Sequence, residues 1–156
     1  MTLASDAHRA WVGTAERAPD GARAQGCCAV AARAASSKSG RDIVVLQVEK
    51  LIGLTDAFVI TSGTNPRQVR TISDEVEHQL KLAGAGSPLC VEGRDDARWV
   101  LMDYGDIVVH IFLDEARVFY DLERLWGDAP CWTWDDDGNR LVEPLPATRG
   151  ARRPKT

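Results

Sequence analysis

Histidine and sulfur are scarce in this 156-residue chain, and where they stand excludes most metal chemistry. The three histidines, His8, His78 and His110, lie at no zinc-binding spacing from a cysteine. Cys27, Cys28, Cys90 and Cys131 form no Cys-x-x-Cys pair, and adjacent Cys27 and Cys28 are poor chelators of one ion. All four read as reduced thiols. No metal and no other cofactor is expected. No apolar run is long enough to span a bilayer, and residues 1–30 lack the charged start and apolar stretch of a signal peptide. A cytoplasmic protein with no membrane partner is therefore expected. A Walker loop, a Gly-x-Ser-x-Gly elbow and a His-Glu-x-x-His pair are all missing. So is an excess of basic charge: the formal net charge is -4, which argues against DNA as a partner and suits a basic protein.

What is present is ordinary for one globular domain plus tails: 44% apolar and 27% charged residues. Residues 1–40 are rich in alanine. They predict two helical pieces, 5–17 and 27–35, separated by Pro19, Gly21 and Gly26. "DIVVLQV" from Asp42 and "AFVITSG" from Ala57 are β-branched runs and predict buried strands. In "TNPRQVRTISDEVEHQLKLAGAG" Asn65 caps a helix, Pro66 opens it and Gln68 completes a capping box. Val69, Ile72, Val76, Leu80 and Ala83 make its buried stripe, and Gly84 stops it. "PLCVEG" predicts a strand, and "FYDLERLWGDAP" a short helix ended by Gly127. The expected fold is α/β: a mixed sheet of about five strands flanked by helices. The expected organisation is an N-terminal helix and inserted loop over 1–26, a domain over 27–130, and a largely irregular tail over 131–156.

The segment "WVLMDYGDIVVHIF" from Trp99 to Phe112 asks for a hairpin. With Tyr104-Gly105 as a two-residue loop, Trp99 faces His110, Leu101 faces Val108 and Asp103 faces Asp106. Alternation then puts Trp99, Leu101, Asp103, Asp106, Val108 and His110 on one face. The other face holds Val100, Met102, Ile107, Val109 and Ile111, which is core. The pattern allows two roles for His110: a hydrogen-bonded core histidine, or part of an exposed contact patch anchored by Trp99.

Catalysis finds little support. Asp103 and Asp106 are the best carboxylate pair, but they flank a turn. "SGTN" at a helix start has the make-up of a phosphate loop and equally of a capping turn. His110 with Cys90 is the sole candidate dyad. Nothing basic interleaves with the tryptophans in the way single-stranded RNA binding requires.

Three stretches, "TDAFVITSGTNPRQVRTISDEVE", "EGRDDARWVLMDYGDIVVHIF" and "FYDLERLWGDAP", resemble in order and spacing the ribosomal silencing factor family, also called Iojap or RsfS. The resemblance covers roughly residues 31–130. It implies a nucleotidyltransferase-like α/β sandwich without enzymatic activity. It also implies binding to the large ribosomal subunit at ribosomal protein L fourteen, which blocks joining of the small subunit and represses translation when nutrients run short. By position, the partner-binding residues it implies are Trp99, Leu101, Asp103, Tyr104, Asp106, Val108 and His110, with Glu115, Arg117, Tyr120 and Glu123 as neighbours. It favours His110 as a contact residue over a core one. A homodimer and a peripheral contact to ribosomal RNA through "ARRPKT" remain open. So do two other readings: a nucleotide-binding or nucleotidyl-transfer enzyme, from "SGTN", and a ribosome assembly factor. Three departures stand out, one of them the tail from Cys131 onward, which resembles nothing assignable. Gln47 replaces the aspartate usual in the family, and "APDGARAQGC" looks like an insertion.

Overall fold

The computed structural model describes residues 20–48 and 55–143. The helix expected over 5–17, the turn at Gly53 and the basic end of the chain lie outside the described residues. Helix α1 (Asp20–Ser37) runs straight through Gly21 and Gly26, where a break was expected. Each internal glycine costs about 1 kcal/mol of helix propensity. The alanines around them and the packing of Ala24, Cys28, Ala31, Ala32 and Ala35, all buried, outweigh that cost. From Asp20 onward the stretch expected as an inserted loop is thus helical.

Strands β1 (Arg41–Gln47), β2 (Ala57–Gly63), β3 (Cys90–Glu92), β4 (Trp99–Asp103), β5 (Ile107–Leu113), β6 (Cys131–Asp135) and β7 (Arg140–Val142) form one mixed sheet. Its order is β3-β4-β5-β2-β1-β6-β7. β2 and β5 are parallel and every other neighbouring pair is antiparallel. Seven strands replace the expected five because residues after 130 do not trail off. "CWTWD" alternates two tryptophans on one side, pairs with β1, and turns at Asn139 into β7. Gln47 accepts the Nε1–H of buried Trp132 at 3.1 Å, so this departure from the family pattern ties β1 to β6.

Helix α2 (Pro66–Leu82) follows β2. Asn65 caps it, accepting the Gln68 N–H at 2.9 Å. Gln68 does not close the expected box on Asn65. Its Oε1 accepts the Thr64 N–H instead, and its Nε2 donates to the carbonyls of Lys38 and Ser39, tying the start of α2 to the end of α1. Val69, Ile72, Val76 and Leu80 are buried as expected, Ser73 joins them, and Ala83 is exposed at the C-cap. Gly84, at φ 92°, then turns the chain.

Alternation divides the sheet into two faces. Val45, Val59, Val100, Met102, Ile107, Val109 and Ile111 point one way, are fully buried, and form the core beneath α1 and α2. Phe58, Ile60, Ser62, Trp99, Leu101, Asp103, Val108, His110 and Phe112 point the other way. This second face is met by α3 (Asp114–Tyr120) and α4 (Leu122–Leu125). A single short helix from Phe119, ended by Gly127, was expected here, and α3 already begins at Asp114. Asp121, at φ 48°, separates α3 from α4.

Candidate docking face

The hairpin of β4 and β5 positions the candidate residues, in a register displaced from the one expected. Trp99 faces Phe112, Leu101 faces His110, and Asp103 faces Val108. The two-residue loop lies one position further along than supposed, at Gly105-Asp106. The Tyr104 N–H reaches the Ile107 carbonyl, and the Asp103 carboxylate accepts the Gly105 N–H at 2.8 Å. A displacement of two positions preserves which side chains share a face. Only Asp106 leaves the strand face, for the loop, where it lies 3.6 Å from the Arg23 guanidinium.

On this face Trp99 is half-buried at the centre of an aromatic group. Its ring lies 4.9 Å from Phe112 and 4.8 Å from Tyr120, and Phe119 meets Tyr120 edge-on at 5.0 Å. The group's outer members are open to solvent, Phe119 at 76% and Tyr120 at 48%, and on the same two short helices Leu125 is 70% exposed and Val118 64%. Four of the six exposed large apolar residues described therefore fall within residues 118–125. Leu101 and Val108 are half-buried on the hairpin, with Asp103 half-buried and Glu115 exposed nearby in sequence. Exposed aromatic and aliphatic side chains gathered on one face are the make-up of a protein-docking surface.

Three residues named from the sequence sit inside rather than on this surface. His110 is 4% exposed, its ring 4.7 Å from Phe58, and its Nδ1 accepts the Trp99 Nε1–H at 3.0 Å. Burial pushes its pKa down to about 4. Arg117 and Glu123 are each 7% exposed and form an ion pair at 2.7 Å. Arg117 also donates to the Arg41 and Asp42 carbonyls and to the Ser62 hydroxyl. This network holds the α3–α4 corner on the sheet, so neither residue is placed to touch a partner. Tyr104 is half-buried, and desolvation raises its hydroxyl pKa to about 12.

Val118, Phe119 and Leu125 were missed. Reading 119–130 as one helix hid the kink at Asp121. The usable signal was Val-Phe-Tyr itself, since three successive apolar side chains on a helix cannot all face one core.

At "SGTN" the structure shows the capping turn. The Thr64 N–H is taken by Gln68, the Gln68 N–H by Asn65, and a Cβ at Gly63 would come within 3.1 Å of the Gln68 side chain. Among the described residues, no group of three His, Cys, Asp or Glu side chains is arranged to hold a metal. No helix among them is long and apolar enough to cross a membrane.

Fold and face together define an α/β domain with a mixed sheet, covered on one side by two long helices and only partly on the other. Residues 21–156 match the family model described as ribosomal silencing factor during starvation, and the chain belongs to that family. It is 43% identical over 101 residues to the ribosomal silencing factor RsfS of Bacillus subtilis, covering 65% of this chain and 85% of that one. It is 37% identical over 91 residues to the mouse protein named mitochondrial assembly of ribosomal large subunit protein 1, covering 57% of this chain and 40% of that one. A crystal structure of a Chromobacterium violaceum protein superimposes with a TM-score of 0.64 at 37% identity, covering 66% of this chain and 85% of that chain.

Proposed function

We propose that this chain is a translational repressor that binds the large ribosomal subunit at ribosomal protein L fourteen and sterically blocks association with the small subunit when nutrients are limiting. Family membership supports the ribosomal setting. The observation that carries the docking reading is the solvent-exposed pair Phe119 and Tyr120, with Tyr120 packed on half-buried Trp99. Trp and Tyr are the side chains most often found at binding hot spots. The carboxylates of Asp103, on the same sheet face, and of exposed Glu115, on α3, suit a basic ribosomal partner, for which charge complementarity speeds encounter and selects orientation. Blocking subunit joining needs occupancy of a shared surface and no chemistry.

The test is sedimentation of the purified protein with isolated large subunits, isolated small subunits and joined ribosomes. Comigration with large subunits alone, together with fewer joined ribosomes, is the expected result. Binding to no fraction would overturn the reading. A second reading, a factor for large-subunit assembly, is favoured by the name of the mouse relative. Depleting the protein from cells separates the two: immature large subunits accumulate under the assembly reading, and mature subunits join more readily under the silencing one.

A further inference from the structure

The family resemblance makes His110 a contact residue, yet the side chain is enclosed. Phe58, Phe112 and Trp99 surround it, with ring centroids at 4.7, 6.3 and 5.9 Å. The Trp99 Nε1–H points at its Nδ1 at 3.0 Å. Trp99 itself is half-buried: one part of the indole rests on Phe112 and the rest lies beside exposed Tyr120. The contacts that hold this indole are otherwise with other rings, at 4.8 to 5.9 Å. Dispersion between flat rings tolerates sliding. A hydrogen bond from the indole N–H does not, since it requires direction as well as distance.

We infer that His110 is a positioning residue: its Nδ1 locks the Trp99 indole in the orientation in which that ring, with Tyr120, presents the docking surface. The inference rests on the docking reading above and changes the role of His110 within it.

The geometry also assigns the histidine tautomer. To accept from Trp99, Nδ1 must carry a lone pair, so the ring proton of the neutral imidazole sits on Nε2. Nε2 is buried and has no hydrogen-bond partner among the described residues. The fold therefore keeps an unpaired buried donor at one end of the ring while the other end holds Trp99. An aliphatic side chain would fill this enclosure without that cost, which a merely structural residue has no reason to bear. A protonated ring would present an N–H to the Trp99 N–H and release it. Enclosure by aromatic rings disfavours that charged form and keeps Nδ1 an acceptor.

The test uses His110→Leu, which fills the site without an acceptor, and His110→Asn, whose Oδ1 restores one at the same branch position. Each is made in the full-length protein, alone and with Trp99→Phe, after thermal melts establish that it folds. The first readout is the Trp99 indole signal in a proton–nitrogen NMR spectrum, assigned by its loss in Trp99→Phe. The second is affinity for isolated large subunits. His110→Leu is expected to shift that indole signal and hasten its exchange with solvent, and to weaken binding about tenfold. His110→Asn is expected to restore both in large part. In the Trp99→Phe background, His110→Leu is expected to weaken binding no further, since it acts through the indole. An indole signal unmoved by His110→Leu, an Asn variant no better than Leu, or full additivity with Trp99→Phe would each overturn the inference. If wild-type protein binds no large subunits, the ribosomal reading falls, and the indole signals of Leu and Asn still decide whether His110 orients Trp99. Should His110→Leu fail to fold, the Asn variant and Trp99→Phe supply the comparison.

Discussion

The two faces of the central sheet come from the same strands and are covered very differently. On one, Val100, Met102, Ile107, Val109 and Ile111 are wholly buried beneath helices of 18 and 17 residues. On the other, Phe58, His110 and Phe112 are buried, but α3 and α4 have only seven and four residues. Around them Trp99, Leu101 and Val108 stay half-open, and Phe119, Tyr120 and Leu125 face solvent. The first face is aliphatic and closed, so it contributes stability. The second is aromatic and open. An exposed apolar cluster of this kind favours association, and a fold retains one where a partner uses it. On the proposed docking reading, the closed core and the docking surface lie on opposite sides of one sheet, and substitutions should separate them.

The largest loss of stability is expected at the corner that secures the open face. Replacing Arg117 by Met leaves the Glu123 carboxylate buried without its cation, at a cost of about 3–5 kcal/mol. Urea unfolding measures this, and a loss under 1 kcal/mol would mean the pair does not hold the corner. On the closed face, Ile72→Ala empties a fully buried site and should cost about 2–5 kcal/mol. Protein that remains folded should bind its partner normally.

The pH dependence of stability sharpens the contrast, because the closed face has no counterpart to His110. Its folded-state pKa of about 4 lies below the ordinary value of 6.5. The unfolded chain therefore takes up the proton first as pH falls. The stability associated with neutral His110 is complete above about pH 6.5 and declines between there and pH 4, approaching ~1.4 kcal/mol per pH unit. His110→Asn should remove that component, which unfolding curves at a series of pH values would reveal. Asn65→Ala, at the start of α2, should cost about 1 kcal/mol and leave docking unchanged. The smallest stability change, within about 0.5 kcal/mol, is expected for exposed Phe119→Ala.

The sequence made the closed face easy to read. The 3.6-residue stripe of α2 and the strict alternation in β4 and β5 each carry a strong period, and both held. The open face was legible in outline only. Parity put Trp99 and His110 on the same side even though the pairing was displaced by two residues, because side-chain direction repeats every second residue. Burial was a different matter. Whether His110 and Arg117 face solvent depends on the kink at Asp121 and on partners distant in the chain, Phe58 for one and Arg41, Asp42 and Ser62 for the other. Local pattern carries no record of such contacts. The strands after residue 130 were missed for a related reason. β6 and β7 are short, and "CWTWD" reads as a strand only once β1 is available to pair with it.

The central claim is that the open face, and not the helical one, meets the large ribosomal subunit. The most direct measurement is the affinity of isolated large subunits for three proteins: wild type, Phe119→Ala combined with Tyr120→Ala, and Arg67→Ala combined with Lys81→Ala on the exposed side of α2. The account predicts that the aromatic pair weakens binding at least about tenfold with little change in stability, while the α2 pair binds as wild type does. Equal binding by wild type and the aromatic variant, or loss confined to the α2 variant, would contradict it.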